Sequence, residues 1–195
     1  MEETNTKEVS ETKGKNKFKE SFWELIRFVF VAVIIVLPIR MLIAQPFIVS
    51  GSSMFPTFEN KQYLIVDQIS YRFDEPKRGD VVIFRFPLDT SKFFIKRVIG
   101  LPEEKVVIKK GEISVFDKDG NETKLEEPYL ENTSSDSFTI NLKEGEYFVL
   151  GDNRIASSDS RSWGVLPREN IIGKALVRLL PIEDISLHPG EYHFE

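Results

Sequence analysis

The stretch IVSGSSMFPTF, Ile48 to Phe58, places three serine hydroxyls, on Ser50, Ser52 and Ser53, ahead of a Met and a proline turn. A serine hydroxyl becomes a useful nucleophile only when a neighbouring base takes its proton. Histidine is the usual base, but the chain has only two, His188 and His193, both in the terminal segment LHPGEYHFE. Beside Pro and Gly they read as exposed tail residues. Another base is needed.

The segment FFIKRVIG supplies a candidate in Lys96. If it is a strand, alternation puts Phe94, Lys96 and Val98 on one face and Ile95, Arg97 and Ile99 on the other. A lysine on a core-facing side is desolvated, which disfavours the ammonium and lowers the pKa as a lysine base requires. Taken alone, a surface lysine with its head in water is the simpler reading. Arg97 makes the question symmetric. One of the two cations must face inward, and arginine cannot be deprotonated in a protein. A third island, GDNRIASSDSRSWG from Gly151 to Gly164, holds four serines, two aspartates and two arginines. It reads either as a turn-rich loop with an Asp159–Arg161 ion pair or as a source of hydroxyls that orient a lysine.

These islands must be held by a β-rich scaffold. KQYLIVDQISYRF, GDVVIFRF, FFIKRVIG, KVVIKKGEISVF, DSFTINL, GEYFVLGD and IIGKALVRLL are short and rich in Val, Ile, Phe and Tyr. EPKRGD, GLPEE, DKDGNE and KEGE separate them as turns. The pattern predicts a mainly β fold, an antiparallel barrel-like or sandwich domain over 46–181 with an inserted, cap-like β-rich segment at 106–147. Residues 120–138 are acidic and polar and read as a surface excursion. Residues 182–195 read as a C-terminal tail. Arg78-Gly79-Asp80 and DKDGNE are read as tight turns rather than as an adhesion motif or a calcium loop, whose glycine and terminal Glu are misplaced. Asn121-Glu122-Thr123 and Asn132-Thr133-Ser134 fit a glycosylation pattern and mark surface loops.

The N-terminus has a different character. Residues 1–20 are charged, without apolar period, and read as a disordered cytoplasmic tail with Lys13, Lys15, Lys17 and Lys19 near its end. Phe28 to Ala44 is apolar except for Arg40 and spans roughly 25 Å as a helix. With Phe22, Trp23, Leu25 and Ile26 it reaches membrane-spanning length, so residues 21–45 are expected to be a transmembrane anchor. A buried core helix and a cleaved signal peptide compete with this reading, but the residues after the run offer no convincing small-x-small site. The lysine cluster puts the N-terminus in the cytoplasm and residues 46–195 outside.

Composition narrows the classes. A net charge of −5 with no basic stripe argues against a nucleic-acid partner. The chain has no cysteine, which removes disulfides and thiolate sites, and with two histidines and no HExxH a catalytic zinc is not expected. No cofactor and no metal are called for.

Together, SGSSMFPTF, KRGDVVIFRFP, FFIKRVIGLP and GDNRIASSDSRSWGVLP resemble, in order, the signature boxes of bacterial type I signal peptidases, membrane-bound serine proteases that remove signal peptides. The resemblance runs from the anchor to about Pro181. It implies that Ser53, immediately before M-x-P-T, is the nucleophile and Lys96 the general base. It implies that Ser157 hydrogen-bonds the lysine amine, that Asp159 and Arg161 brace the loop, and that Gly151 lets the backbone pass close to the lysine. The Ser53 backbone N–H is the implied oxyanion donor. Gly51 stands where some members carry a further donating serine, and Ile155-Ala156 where many have Asp-Asn. Substrate is expected to bind as an added strand, with small side chains one and three positions before the cut. Ile48, Ser50, Phe94 and Ile95 are the expected pocket walls. The implied partners are signal peptides of exported pre-proteins and the lipid bilayer, with the catalytic domain outside the cell membrane. Two alternatives compete: a soluble, self-cleaving Ser/Lys repressor, against which the anchor argues, and an inactive or specialised membrane-tethered relative acting as a binding module, against which intact Ser53, Lys96 and Ser157 argue.

Overall fold

A computed structural model describes residues 21–36 and 44–194. The chain divides into two units, Met1–Ile43 and Ala44–Glu195, each described here by itself. Residues 21–36 form helix α1, with Phe22, Trp23, Phe28 and Phe30 exposed. Among the described residues no helix is long and apolar enough to cross a membrane. The expected tail at 1–20 and residues 37–43 of the expected anchor lie outside the described residues.

The second unit is almost entirely antiparallel β. Its strands are β1 (Ala44–Ile48), β2 (Tyr63–Asp67), β3 (Val81–Phe86), β4 (Asp89–Gly100), β5 (Lys105–Lys109), β6 (Glu112–Phe116), β7 (Glu122–Leu125), β8 (Phe138–Asn141), β9 (Glu146–Leu150), β10 (Leu166–Pro167), β11 (Ile171–Leu180) and β12 (Ser186–Leu187), with one short helix, α2 (Ser160–Trp163). An eight-stranded sheet runs β1-β2-β11-β3-β4-β9-β10, with β12 on β11, and a four-stranded sheet runs β7-β6-β5-β8. Among the described residues β1 and β10 end the larger path without pairing to each other, so the expected barrel-like closure is not formed.

The expected turns fall between strands. Asp117 Oδ1 accepts from the Asp119 and Asn121 N–H groups (2.8 and 2.9 Å), closing the β6–β7 hairpin. Arg78-Gly79-Asp80 is a turn consumed internally, since Gly79 has φ +94°, Arg78 pairs with Glu104 and Asp80 accepts from the Tyr71 hydroxyl. KQYLIVDQISYRF is only partly strand. Asp67 Oδ1 accepts from the N–H groups of Ile69 and Ser70, and this local alternative ends β2 and starts a 3-10 turn at Ser70–Arg72.

β3 and β4 lie in the middle of the larger sheet, and Val81–Phe84 of β3 and Lys96–Gly100 of β4 are buried on both faces. Phe94 and Val98 join a cluster with Phe84, Tyr147, Val149 and Leu166, while Ile95 packs with Met54, Phe58 and Val66. Each such buried side chain contributes roughly 1.5–3 kcal/mol. This corrects the expectation that only one of Lys96 and Arg97 faces inward. Both are buried, because a central strand has no solvent side.

The inserted segment is anchored to the rest of the domain at particular residues, while most of 120–138 is exposed as expected. Ile99, Phe148 and Leu150 of the larger sheet share a cluster with Val106, Ile108, Ile113 and Val115 of the smaller one. From the acidic excursion, Glu127 forms a buried ion pair with Arg154, and the Tyr129 ring lies 4.0 Å from the Arg97 guanidinium carbon. The C-terminal residues are not a free tail either. β12 pairs with β11, and the Tyr192 and Phe194 rings pack edge-on at 4.8 Å.

Candidate active site

Ser53 sits on a short helical turn in which Phe58 N–H donates to Met54 O at 2.8 Å. Met54 and Phe58 are fully buried and pin this turn, leaving Ser52 exposed and Ser53 half-buried. Gly51 has φ +93°, a backbone that favours glycine, and its N–H donates to Asn60 Oδ1 at 3.1 Å. The Ser53 N–H makes no hydrogen bond among the described residues.

Lys96 reaches this turn from β4, where it pairs across to Val82. Its Nζ lies 2.7 Å from Ser53 Oγ and 2.8 Å from Ile95 O. The side chain is 3% exposed, and among the described residues its hydrogen-bond partners include no carboxylate. Burial therefore pulls its pKa down to about 8, against the pull of the more distant Asp159 and Asp152 charges. At pH 7 about a tenth of such amines are neutral, against fewer than one in a thousand for an exposed lysine.

The loop at 151–162 closes the site. Asn153 N–H donates to Ser53 O at 3.0 Å, tying the loop to the serine turn. Asp159 caps α2, accepts from Gly151 N–H at 3.1 Å, and takes a bidentate pair from Arg161 Nε and Nη2, both at 2.8 Å. Arg161 Nη1 reaches on to Asp136 at 2.8 Å. A Cβ on Gly151 would meet Ser157 Oγ at 2.2 Å and Ser53 O at 2.4 Å. The close approach that requires glycine is thus to Ser53 and Ser157 rather than to the lysine. Ser157 Oγ is buried without a partner, and the expected bond to the Lys96 amine is not formed. Neighbouring side chains explain this. Ala156 and Ser158 line the groove beside Ser53, whereas Ser157 lines a separate cavity of about 390 Å³ with Asp136 and Arg161.

The groove itself is a cavity of about 610 Å³ bounded by the 47–53 segment on one side and 92–96 on the other. Ile48, Ser50, Phe94 and Ile95 all line it. Phe47 and Phe93 meet across it edge-on, with ring centroids 5.4 Å apart.

Two contributors went unread in the sequence. Asp152 receives Arg97 Nε at 2.9 Å and Nη2 at 2.6 Å, and also Thr57 Oγ1 at 2.6 Å. Arg154 Nε holds the Gly151 carbonyl at 3.1 Å while its guanidinium pairs with Glu127. A signal existed for the first: a buried arginine next to Lys96 demands an acid, and GDNR offers one.

A half-buried serine thus lies within hydrogen-bond distance of a desolvated lysine, beside an extended groove in an antiparallel β domain. The sequence profile of the family described as signal peptidase, peptidase S26, matches residues 22–180. A probable signal peptidase I-2 of Synechocystis is 36% identical over 184 residues, covering 90% of this chain and 82% of its own length. Signal peptidase I of Bacillus amyloliquefaciens is 34% identical over 192 residues, covering 92% of this chain and 95% of its own. A crystal structure of a signal peptidase I from Enterococcus faecalis is similar at a TM-score of 0.45 and 30% identity, covering 52% of this chain and 97% of that one. The chain belongs to the signal peptidase family, peptidase S26. Its function is that of a type I signal peptidase, a serine endopeptidase that acts on signal peptides of exported precursors.

Proposed function

We propose that Ser53 is the nucleophile and Lys96 its general base, acting on an extended precursor laid between the 47–53 and 92–96 segments. The observation that carries this reading is the 2.7 Å contact between Lys96 Nζ and Ser53 Oγ, made by an amine whose proton burial makes far easier to lose than that of an exposed lysine. In the neutral state Lys96 takes the hydroxyl proton while Oγ bonds to the carbonyl carbon before the cut. The tetrahedral oxyanion is held by the unpartnered Ser53 N–H. Lys96 returns the proton to the leaving amine as the C–N bond breaks, and then takes a proton from the water that releases the acyl group. Gly51 adds no hydroxyl to the oxyanion site. Ser157, whose buried hydroxyl lacks a partner, orients the amine once the groove is filled, since a buried hydroxyl without a bond gives up nothing in turning. Asp159, Arg161 and Gly151 hold the loop.

Substrate choice follows from the groove. Ile48, Ser50, Phe94 and Ile95 wall the positions that receive small side chains one and three residues before the cut. Residues 21–45 act as a single-pass anchor with a cytoplasmic N-terminus, which brings the catalytic domain to the outer surface of the cell membrane where signal peptides emerge. The apolar, exposed surface of α1 supports this part of the reading.

The test is cleavage of a pre-protein with an Ala-x-Ala site by the membrane-anchored enzyme, beside Ser53→Ala and Lys96→Met. Both variants should lose at least about 10³-fold in kcat/KM. Cleavage equal to the parent enzyme by either would sink the assignment.

A further inference from the structure

The residues that hold the reactive pair are themselves closed by a part of the chain that the family profile does not reach, since the match ends at residue 180. Arg97 follows Lys96 directly, and its Nη1 donates to Gly79 O at 2.9 Å and to Gly190 O at 2.5 Å. Asp152, its carboxylate partner, follows Gly151 directly and receives the hydroxyl of Thr57, four residues beyond Ser53. The segments that carry Ser53, Lys96 and the 151–162 loop therefore meet at the Arg97–Asp152 pair, together with Gly79 and Gly190.

The fit at that junction is tight. A Cβ on Gly190, which has φ +76°, would lie 2.6 Å from Thr57 Cγ2 and 3.0 Å from Phe58 Cε2. A Cβ on Gly79 would lie 1.8 Å from Tyr192 O. Both glycines exist where the C-terminal segment presses on the body of the domain. Tyr129, which covers Arg97, packs edge-on against Tyr192 at 5.2 Å and Phe194 at 6.4 Å. The segment thus closes the Arg97–Asp152 pair, which is 1% exposed on both sides.

We infer that residues 188–194 are a positioning strap for the reactive pair: by accepting from Arg97 and seating on Thr57, they fix the strand that carries Lys96 against the turn that carries Ser53. The inference rests on the assignment of Ser53 and Lys96 as nucleophile and base. None of these residues lines the groove. They act through Arg97, Asp152 and Thr57.

The experiment uses the full, membrane-anchored chain in three forms: truncated after Leu187, Tyr192→Ala with Phe194→Ala, and Tyr192→Phe. Initial rates across substrate concentration separate kcat from KM, and circular dichroism with a melting curve gives the folded fraction. The truncated and double-alanine forms should lose about ten- to a hundredfold in kcat with KM moving less than about twofold, because the groove is intact while the reacting groups are misaligned. Tyr192→Phe keeps the ring and should match the parent enzyme. If the truncated chain fails to fold, the double-alanine form decides alone. Folded variants with the parent kcat, or activity that falls only with the folded fraction, would overturn the strap. Ser53→Ala in the same assay keeps the two ideas apart: if it still cleaves, the nucleophile assignment fails, whatever the strap variants do.

Discussion

Lys96 and Arg97 are neighbours on β4 and almost equally hidden, at 3% and 1% exposure, and each lies over an aromatic ring, yet only Arg97 has a carboxylate partner. Arg97 has two carboxylate oxygens, two backbone carbonyls and a tyrosine face around its guanidinium. Lys96 has one hydroxyl and the carbonyl of its own neighbour. The fold satisfies one cation and strips the other. A buried arginine must stay charged, so it is paired, whereas a buried lysine left unpaired gives up its proton instead. The difference teaches that burial alone does not make a base. Burial without a counter-charge does.

The largest effect on stability should come from breaking the satisfied side. Arg97→Met leaves Asp152 buried and unpaired and should cost about 3–5 kcal/mol, read as a lower urea midpoint. A loss under about 1 kcal/mol would show that the two cations are not treated so differently.

The stripped side should govern the pH–rate profile. A lysine base acts only when neutral, so on the proposed mechanism kcat/KM should rise about tenfold per pH unit below about pH 8 and level off above it. A profile flat between pH 6 and 9 would exclude a lysine base with this pKa.

The same shift has a thermodynamic sign. The folded pKa, about 8, lies below the ordinary 10.5. Below pH 8 both folded and unfolded states are protonated, and the fold carries the whole penalty of a buried ammonium. Between these values the unfolded state binds more protons, so stability rises with pH, by at most about 1.4 kcal/mol per unit. Lys96→Met should therefore be more stable than the parent at pH 7 by roughly 1–3 kcal/mol while inactive, and the gap should close as pH passes from 8 to 10.5. A gap that stays constant would mean that Lys96 is not the group responsible.

Ser157→Ala sharpens the comparison further. Its hydroxyl makes no bond to the amine at rest, so the variant should leave stability within about 0.5 kcal/mol. If Ser157 turns to the amine in the loaded groove, kcat should fall about tenfold or more. An unchanged kcat would leave Lys96 oriented by Ser53 and Ile95 O alone.

Much of the site was legible in the chain as written. Alternation placed Lys96 between apolar neighbours, and turn chemistry set off DKDGNE and Arg78-Gly79-Asp80. Ile48, Ser50, Phe94 and Ile95 flank the reactive residues in sequence and flank them in space, because an extended strand carries its neighbours along the same groove. What was misread had a common cause. The excursion at 120–138 and the C-terminal segment are mostly exposed, as their composition says, yet Glu127, Tyr129, Gly190 and Tyr192 are engaged through ion pairs, rings and carbonyls that local composition does not report.

The sequence by itself determined the β-rich domain, the spacing of Ser53 from its motif partners, the absence of a nearby histidine and the presence of Lys96 as the alternative. These depend on residue type and on the two-residue period of a strand, both of which are local. Only the fold decided that β4 is covered on both faces around Lys96 and Arg97, that Arg97 finds Asp152 while Lys96 finds no acid, and that the buried Ser157 hydroxyl is left without a partner. Those outcomes depend on which distant segments meet, and a counter-charge fifty-five residues away leaves no mark beside the lysine it spares.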